Sequence, residues 1–468
     1  MKRALSVVAM ATLMAGLLSV TLAAQPGDKR IRLLTREVPL AKPRAGMVAE
    51  TLVLSPDSRH VAYVAARGGR QVVVLDDVEG REYDGVATAA GLTFSPDGTR
   101  LAYVAWRDRR AFVVVDGREV PHEDLGGMIV FSPDSKRLAY VARRGAKWFV
   151  VADGVEGAGY DGVQKAGAPV FSPDSKRLAY VATRGKKMLV VLDGAEGQEY
   201  GGVADGTLTF SPDSRRVAYG AFRGDKRLVV VDGVEGTEYE NIEQGSLIFS
   251  PDSKRCAYVA NRAGRWLVVV DREEIDRYGD VGQRVVFSPD SKRLAYVGKR
   301  GGKRFVVLDG VEGPEHDFIG EGACFSPDSG RLAYAARRGS NWLVVVDREA
   351  GKDYEGIGDS TLIFSPDGKH LAYVALRRGK MLAVLDGAEG KAYDQLAAIV
   401  PVFSPDGTHL AYVAVQGDKW FVVVDGIEGK EYLRLLLSDR LRFDGPNSLH
   451  ALAIHDGFVR VEMEIVEQ

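Results

Sequence analysis

Cysteine, histidine and long apolar runs are all scarce in this chain of 468 residues. Its two cysteines, Cys256 and Cys324, stand where other copies of an internal repeat carry an apolar residue. We therefore expect two thiols packed in strands and no disulfide between them. The 7 histidines show no metal-ligand spacing, so neither a metal nor another cofactor is expected.

An excess of charge of one sign is also missing, because the formal net charge is −2 at pH 7. Such a chain gives no reason to expect a nucleic acid or an anionic membrane surface as partner. The G-x-S-x-G nucleophile elbow of α/β-hydrolases does not occur. No 3.6-residue apolar period is visible, which argues against helical repeats. A monomer is expected.

The first residues have the layout of a secretory signal peptide. Lys2 and Arg3 precede an uncharged apolar stretch from Ala4 to Leu22, and small residues follow at 23 and 24. We predict cleavage after residue 24 and a periplasmic or secreted protein without a membrane span in its mature chain. The alternative is an uncleaved anchor, because the apolar run is long for a signal peptide.

A repeat of about 39 residues fills most of the chain. Ser-Pro-Asp begins ten times, and successive copies are 37 to 40 residues apart. The ten serines are Ser55, Ser95, Ser132, Ser172, Ser211, Ser250, Ser288, Ser326, Ser365 and Ser404. This regularity predicts one supersecondary unit used ten times.

Each copy divides into four short strands, which we call A to D. Strand A is the apolar stretch before Ser-Pro-Asp, and strand B is Arg-Leu-Ala-Tyr-Val-Ala or a close variant. Strand C is β-branched and aromatic, and Asp-Gly with Glu-Gly forms a hairpin into strand D, Arg-Glu-Tyr-Asp-Gly-Val or similar. Strands B and C are predicted to be buried on both faces. A repeated four-stranded meander of this length predicts an all-β fold, a β-propeller.

The core Phe-Ser-Pro-Asp-Ser/Gly-Lys-Arg-Leu-Ala-Tyr resembles the WD40-like repeat of the periplasmic protein TolB. It is also similar to propeller repeats of tricorn, dipeptidyl peptidase IV and prolyl oligopeptidase. The resemblance spans residues 50–437 and implies a propeller of four-stranded blades. Neither the amino-terminal domain of TolB nor the hydrolase domain of the peptidases has a counterpart in this sequence, so the resemblance implies no activity.

Both ends of the chain are predicted to share one closing blade. Residues 438–468 form a degenerate repeat with strands A to C, and the segment 25–49 contains a strand-like piece without Ser-Pro-Asp. Pairing them hides the sheet edges and gives ten blades plus a composite eleventh. Two smaller rings are the alternative, because propellers typically have four to eight blades.

Charged loops are the candidate binding residues. The meander places the Ser-Pro-Asp turns and the acidic C–D hairpins at one end of the ring, and the basic B–C loops at the other. The predicted basic face comprises Arg107, Arg109, Arg110, Arg143, Arg144, Lys147, Arg184, Lys186, Lys187, Lys299, Arg300, Arg337, Arg338, Arg377 and Arg378. It would bind an acidic protein or polymer, although such residues also serve simply to keep a large protein soluble.

Two functions of different class remain. The first is a non-catalytic exported scaffold that binds a protein or polymer, since no residue set requires chemistry and no catalytic residue is predicted. The second is a propeller enzyme, of hydrolase or lyase type, with a site in the central channel. That site needs polar residues of strand A, where the sequence offers only Thr207, Thr209, Arg284 and Thr361.

Overall fold

The computed structural model describes residues 31–87, 91–164, 168–278, 280–320, 323–397, 400–436, 441–454 and 457–467. Over these residues the chain consists of β-strands and turns without a helix. Consequently, none of the described segments is a helix of the length and hydropathy needed to cross a membrane. The predicted signal peptide lies outside the described residues.

The strands assemble into eleven antiparallel sheets, ten from the repeats and one from the two ends of the chain. We number the repeat sheets blades 1 to 10 in chain order. Strand B spans Val61–Arg67, Leu101–Arg107, Leu138–Arg144, Leu178–Arg184, Val217–Arg223, Cys256–Arg262, Leu294–Arg300, Leu332–Arg338, Leu371–Arg377 and Leu410–Gln416. Strand C spans Arg70–Leu75, Arg110–Val115, Lys147–Ala152, Lys187–Leu192, Lys226–Val231, Arg265–Val270, Lys303–Leu308, Asn341–Val346, Lys380–Leu385 and Lys419–Val424.

Strand D is short in most blades. It spans Val78–Tyr83, Arg118–His122, Val155–Glu156, Ala195–Tyr200, Val234–Glu235, Glu273–Ile275, Val311–Glu312, Glu349–Ala350, Ala388–Tyr393 and Ile427–Glu428. Strand A is continuous in blades 1, 3 and 7, as Met47–Leu54, Asp124–Phe131 and Asp280–Phe287.

In the other blades strand A consists of two pieces on the same edge of strand B. These pairs are Gly85–Val86 with Thr93–Phe94, Gly162–Val163 with Val170–Phe171, Gly202–Val203 with Thr209–Phe210, Asn241–Ile242 with Ile248–Phe249, Phe318–Ile319 with Cys324–Phe325, Gly356–Ile357 with Ile363–Phe364, and Gln395–Leu396 with Val402–Phe403.

The sequence prediction for strand D is therefore wrong in its second half. In blade 4 the strand ends at Tyr200, and Gly202 and Val203 pair with strand B of blade 5. The chain has already crossed to the next blade at Gly201, where its backbone N–H donates to the carbonyl of Phe222. A Gly-Val dipeptide can form strand hydrogen bonds with either of the two neighbouring sheets, so only the tertiary arrangement decides which sheet it joins.

The Ser-Pro-Asp turn is held by its own side chains. In blade 4, Ser172 Oγ donates to Asp174 Oδ1 at 2.6 Å, and the N–H of Arg177 donates back to Ser172 Oγ at 2.9 Å. The hydrogen bond from Ser172 lowers the pKa of Asp174. Ser175 has a φ of 66°, a conformation that short polar residues tolerate better than β-branched ones. The repeated aspartates are thus architectural.

Burial distinguishes the inner strands of each blade from the outer one. In blade 4 the residues Leu178–Ala182 of strand B are buried, whereas strand D is exposed at all its residues except Tyr200. Sheets arranged radially around an axis are close together near that axis and diverge outward. The exposed strand D therefore lies at the outer rim, and strand A faces the central channel.

The apolar clusters show that the eleven sheets form one ring. Each cluster joins one blade to the next, in unbroken order from blade 1 to blade 10. One further cluster joins blade 10 to the closing sheet, and another joins the closing sheet, through Leu452 and Phe458, to Tyr63 of blade 1. The alternative of two smaller rings is thereby ruled out.

The closing sheet has the predicted composition. Its strands are Arg442–Gly445, Ser448–Ile454 and Phe458–Glu467 from the carboxy-terminal end, and Ile31–Ala41 from the amino-terminal end. Ile31–Ala41 pairs antiparallel with Phe458–Glu467 and lies at the strand D position. On the blade 10 side, Glu37 accepts hydrogen bonds from Lys430 and Tyr432. The ring is closed by contacts of the same kind as those between repeats.

Arginines before strand B tie neighbouring blades together on the Ser-Pro-Asp side. Arg177 Nε donates to Asp193 Oδ2 of its own blade at 2.8 Å. Its Nη1 donates to the carbonyls of Ser214 and Arg215 in the next blade, and its guanidinium lies over Phe210. Equivalent arginines make these cross-blade carbonyl contacts in blades 2, 3, 5, 7 and 8. The contact is part of the repeat.

Candidate binding site on the hairpin edge

The predicted basic residues all lie at one edge of the ring. The B–C connections are two-residue turns, as in blade 4, where Arg184 pairs with Lys187 around Gly185 at a φ of 56°. The crossings from strand D to the next blade reach the same edge, because Asp161 accepts a hydrogen bond from the N–H of Gly185. We call this end of the ring the hairpin edge.

Most cations of the hairpin edge are paired with carboxylates of strand D, of the crossing or of the first residue of strand A. Arg184 donates to Glu196 at 2.5 Å and to Glu199 at 3.1 Å. Arg107 makes a bidentate pair with Glu119, and this pair holds the pKa of Glu119 at about 2. Corresponding pairs are Arg143–Asp124, Arg144–Glu156, Lys147–Asp161, Lys299–Asp280, Arg300–Glu312, Arg338–Asp353 and Arg377–Glu389.

The predicted segregation of charge between the two ends of the ring is therefore wrong. The acidic C–D hairpin of blade 4 divides its charge, because Asp193 pairs with Arg177 at the Ser-Pro-Asp end and Glu196 pairs with Arg184 toward the hairpin edge. The spacing along the sequence could not show this, since the long side chains of arginine and glutamate span the width of strand C.

Five of the predicted cations are exposed, and their side chains have no carboxylate partner among the described residues. They are Arg109, Arg110, Lys186, Lys187 and Arg378. All lie in the two-residue turns or at the first residue of strand C. Arg337 is also exposed, and its guanidinium lies 5.7 Å from the Phe318 ring. We call the first five the exposed cations.

Crossing carboxylates cap the turns of the hairpin edge. A tyrosine or histidine ends strand D or follows it, and the next residue accepts a hydrogen bond from a turn N–H of the next blade, as Glu123 does from Gly145 at 2.6 Å. The other capping residues are Asp84, Asp161, Glu240, Asp317, Glu355 and Asp394. A carboxylate is thus an integral part of this edge in seven blades.

A basic cleft of about 650 Å³ opens on the hairpin edge between blades 6 and 7. Its cations are Arg277, Lys299, Arg300, Lys303 and Arg304, against the carboxylates of Asp280 and Glu312. Tyr278 and the turn glycines Gly301 and Gly302 complete the lining. Three of these cations are paired, Lys299 with Asp280, Arg300 with Glu312 and Glu315, and Lys303 with Asp317. Of the five, Arg277 alone lies outside the basic B–C hairpin that the sequence singles out.

The packing of two aromatic rings beneath this cleft requires a glycine in strand B. The ring of Tyr278 packs edge-to-face on Phe305, with centroids 5.1 Å apart. Phe305 is fully buried because strand B has Gly298 beneath it; a Cβ at Gly298 would lie 2.6 Å from the ring. The Tyr278 hydroxyl is buried and has no hydrogen-bond partner among the described residues.

Strand A offers little polar chemistry toward the channel. The hydroxyl of Thr207 donates to Ala204 and accepts from the N–H of Gly220, and Thr361 makes the same contacts with Gly358 and Val374. Both threonines therefore serve the bend within strand A. Across the described residues there is no group of three or more His, Cys, Asp or Glu side chains that could hold a metal ion.

The three histidines that precede strand B differ in exposure. Their Nδ1 atoms contact an aspartate, Asp76 for His60 and Asp386 for His370, and both side chains are partly exposed. His409 makes the same contact with Asp425 at 2.6 Å, but its side chain is only 8% exposed. They replace the arginine that otherwise occupies this position.

No protein-family model matches the chain, and no curated protein matches it. Among solved structures, the crystal structure of a eukaryotic initiation factor is similar with 12% identity and a TM-score of 0.39, over 68% of this chain and 90% of that one. The β-propeller domain of the Trilobed protease from Pyrococcus furiosus, with an open velcro topology, is similar with 15% identity and a TM-score of 0.27, over 55% and 92%.

Proposed function

We propose that the protein is a non-catalytic scaffold that binds an acidic protein or polymer at the hairpin edge. The observation that supports this function is the set of exposed cations. They protrude from turns whose neighbouring cations are neutralised within the same blade, so their charge is available to a partner. Because equivalent hairpins recur around the ring, an extended partner can contact several blades, and weak contacts then add.

Charge reversal tests this proposal. The variant Arg109→Glu/Arg110→Glu/Lys186→Glu/Lys187→Glu removes four exposed cations from blades 2 and 4. Since an exposed ion pair contributes roughly 0.5 kcal/mol, we expect binding of labelled poly-L-glutamate to weaken at least about tenfold at low salt. The affinity of the wild-type protein should also fall as salt is added.

The matched control reverses four lysines at the Ser-Pro-Asp end. Lys176, Lys254, Lys292 and Lys369 have side chains 81%, 82%, 82% and 75% exposed. Their replacement by glutamate changes the net charge equally and should leave binding within about twofold. Equal loss in both variants would show a general charge effect, and no loss in either would refute a binding role for the hairpin edge.

We also propose that binding takes place outside the cytoplasm, in the periplasm or beyond. The support is the charged and apolar pattern of residues 1–24. Mass spectrometry of the mature protein should find Gln25 at the amino terminus. A chain that retains residues 1–24 would refute cleavage and favour the anchor.

The repeats are further proposed to be of the WD40-like type found in TolB. The support is the Phe-Ser-Pro-Asp core, whose serine and aspartate form the turn of each blade. Serine and aspartate together are needed for that turn. Replacing Asp174 by alanine should therefore destabilise blade 4 in hydrogen exchange, whereas replacing the exposed Lys176 should not.

A further inference from the structure

A tyrosine–glutamate hydrogen bond joins neighbouring blades at the outer rim. Tyr160 of blade 3 donates from its hydroxyl to Glu196 of blade 4 at 2.9 Å, and Arg184 of blade 4 donates to the same carboxylate. This glutamate is the second residue of strand D. The same hydrogen bond forms in the pairs Tyr83–Glu119, Tyr200–Glu235, Tyr239–Glu274 and Tyr354–Glu389. A carboxylate between two blades is therefore a regular part of the rim.

Blade 8 lacks this carboxylate. Ala350, the second residue of its strand D, stands where the other nine repeats have glutamate. Blade 7 contributes His316 in place of the tyrosine, and this ring packs edge-to-face on Tyr334 of blade 8, with centroids 6.0 Å apart. His316 is 6% exposed and Tyr334 is 2% exposed. Both ring nitrogens of His316 and the hydroxyl of Tyr334 are buried without a hydrogen-bond partner among the described residues.

A histidine at this position does not by itself leave these atoms unpaired. Blade 2 also has a histidine here, His122, and its Nε2 lies 3.1 Å from the hydroxyl of Tyr140 in blade 3. Blade 3 has the glutamate, Glu156, which pairs with Arg144. The absence of the glutamate therefore distinguishes the junction of blades 7 and 8 from that of blades 2 and 3.

The place of the glutamate is open to solvent and has an unpaired cation nearby. Ala350 is exposed, and so is Arg348 in the C–D turn of the same blade. The side chain of Arg348 has no carboxylate partner in the described part of the chain. Burial raises the pKa of Tyr334 to about 12, and the charge of Arg348 opposes this shift. Arg348 therefore acts on the hydroxyl that lacks a partner.

The other charged side chains near this place do not replace the glutamate. Two cations near His316 are already paired, Arg338 with Asp353 and Lys303 with Asp317. Glu349 precedes Ala350, but successive side chains of a strand point to opposite faces. Blade 6 has the same Asp-Arg-Glu sequence in this turn, and there the second glutamate, Glu274, accepts the hydrogen bond from Tyr239 at 2.8 Å.

We propose that the outer rim between blades 7 and 8 binds a carboxylate group of a ligand, in the place where the other nine repeats have their own glutamate. The hydroxyl of Tyr334 and a ring N–H of His316 donate to this carboxylate, and Arg348 supplies the compensating charge. Binding thus satisfies buried polar atoms that otherwise have no partner. None of the exposed cations of the hairpin edge takes part, so the site goes beyond the proposed scaffold function and is tested independently of it.

The imidazole of His316 reports binding, because a carboxylate beside it favours its protonated form. Its Cε1–H resonance, assigned by its absence from His316→Tyr, is followed by NMR at neutral pH while acetate replaces chloride at constant ionic strength. Ala350→Glu gives blade 8 the residue of the other nine repeats. Arg348→Gly gives its turn the residue of seven other repeats, and Arg272→Gly makes the same change in blade 6, where Glu274 is present.

We expect acetate to shift the His316 resonance of the wild-type protein saturably. Ala350→Glu should shift it in the same direction without acetate and weaken the response to acetate at least about tenfold, because a tethered carboxylate already occupies the position. Arg348→Gly should weaken acetate binding about threefold, the effect of losing one exposed ion pair, and it keeps the test valid should Ala350→Glu not fold. Arg272→Gly should leave acetate binding unchanged.

The proposal is overturned if acetate leaves the His316 resonance of the wild-type protein unchanged, or if Ala350→Glu responds to acetate as the wild-type protein does. Equal weakening by Arg348→Gly and Arg272→Gly shows a general effect of net charge and also overturns it. Competition by a blocked glutamate peptide identifies an acidic side chain as the occupant. A response to acetate without such competition identifies a small carboxylate, and either result supports the site.

Discussion

Replacing Gly298 by alanine should destabilise the protein, although the other nine repeats have alanine at this position. The added Cβ would lie 2.6 Å from Cε2 and 2.9 Å from Cζ of Phe305. Phe305 has no room to withdraw, because it is fully buried and packs on Tyr278. Overpacking of this kind costs about 1–3 kcal/mol, and the reduced entropy of the unfolded chain returns only about 0.4–1 kcal/mol.

Phenylalanine beside alanine is tolerated in other blades, which sharpens the prediction. Phe112 and Phe421 face Ala105 and Ala414 in strand B. These two rings are 8% and 6% exposed, and among the described residues neither packs on another aromatic ring. They can therefore tilt outward, whereas the ring of Phe305 is held by Tyr278.

A double-mutant cycle measures the steric conflict between a side chain at position 298 and the ring of Phe305. Leucine occupies the position of Phe305 in five other blades, so Gly298→Ala/Phe305→Leu restores a combination that the repeat already uses. Phe305→Leu alone should cost about 1 kcal/mol or more because it leaves a cavity. We expect a favourable coupling of about 1–2 kcal/mol in the double variant.

The assay is urea unfolding combined with hydrogen exchange of segment 294–308. Exchange is needed because a ring of repeats can open locally, and the loss is then confined to blades 6 and 7. If Gly298→Ala is as stable as the wild-type protein, or if the two single changes simply add, the steric reasoning is refuted.

Three further outcomes are expected. Arg177→Ala should cost about 1–2 kcal/mol of unfolding free energy. Arg177→Lys should not restore this stability, because lysine cannot reach Asp193 and the next blade together. Full rescue by lysine in a urea titration would contradict this. Burial lowers the pKa of His316, with Arg338 and Lys303 contributing. The unfolded state therefore binds more protons than the folded state, and stability should fall as pH drops below about 6.5. Thermal unfolding followed from pH 8 to 5 should show a smaller loss of stability for His316→Tyr. Burial raises the pKa of the Cys256 thiol to about 12, so Cys256 should react with a disulfide reagent only after denaturation; fast labelling of the native protein would exclude the buried position.

The sequence by itself determined the all-β class, the four strands of each blade and the number of sheets. These follow from local chemistry: proline and aspartate set the turn after strand A, and β-branched runs form strands B and C. The closing sheet was also predictable, because Ile31–Ala41 and Phe458–Glu467 each lacked a partner in the repeat pattern.

Only the tertiary structure decided where charges meet. Arg184 and Glu196 stand at opposite ends of strand C in the chain, and the pair forms because strand D folds back beside it. From the sequence, both residues are interpreted as unpaired loop charges, which predicts two oppositely charged ends of the ring. Ion pairs between strands depend on which way side chains extend, which a linear pattern does not contain.

The basic cleft was beyond sequence reasoning for the same reason. Arg277 follows strand D of blade 6, whereas Lys299 and Gly301 lie in the B–C hairpin of blade 7, and only the packing of the two blades brings them together. The repeat made every blade nearly identical, so a site could arise only where several small departures coincide in space. The aromatic rings beneath the cleft meet through the packing of Tyr278 on Phe305, which is a long-range contact between blades 6 and 7.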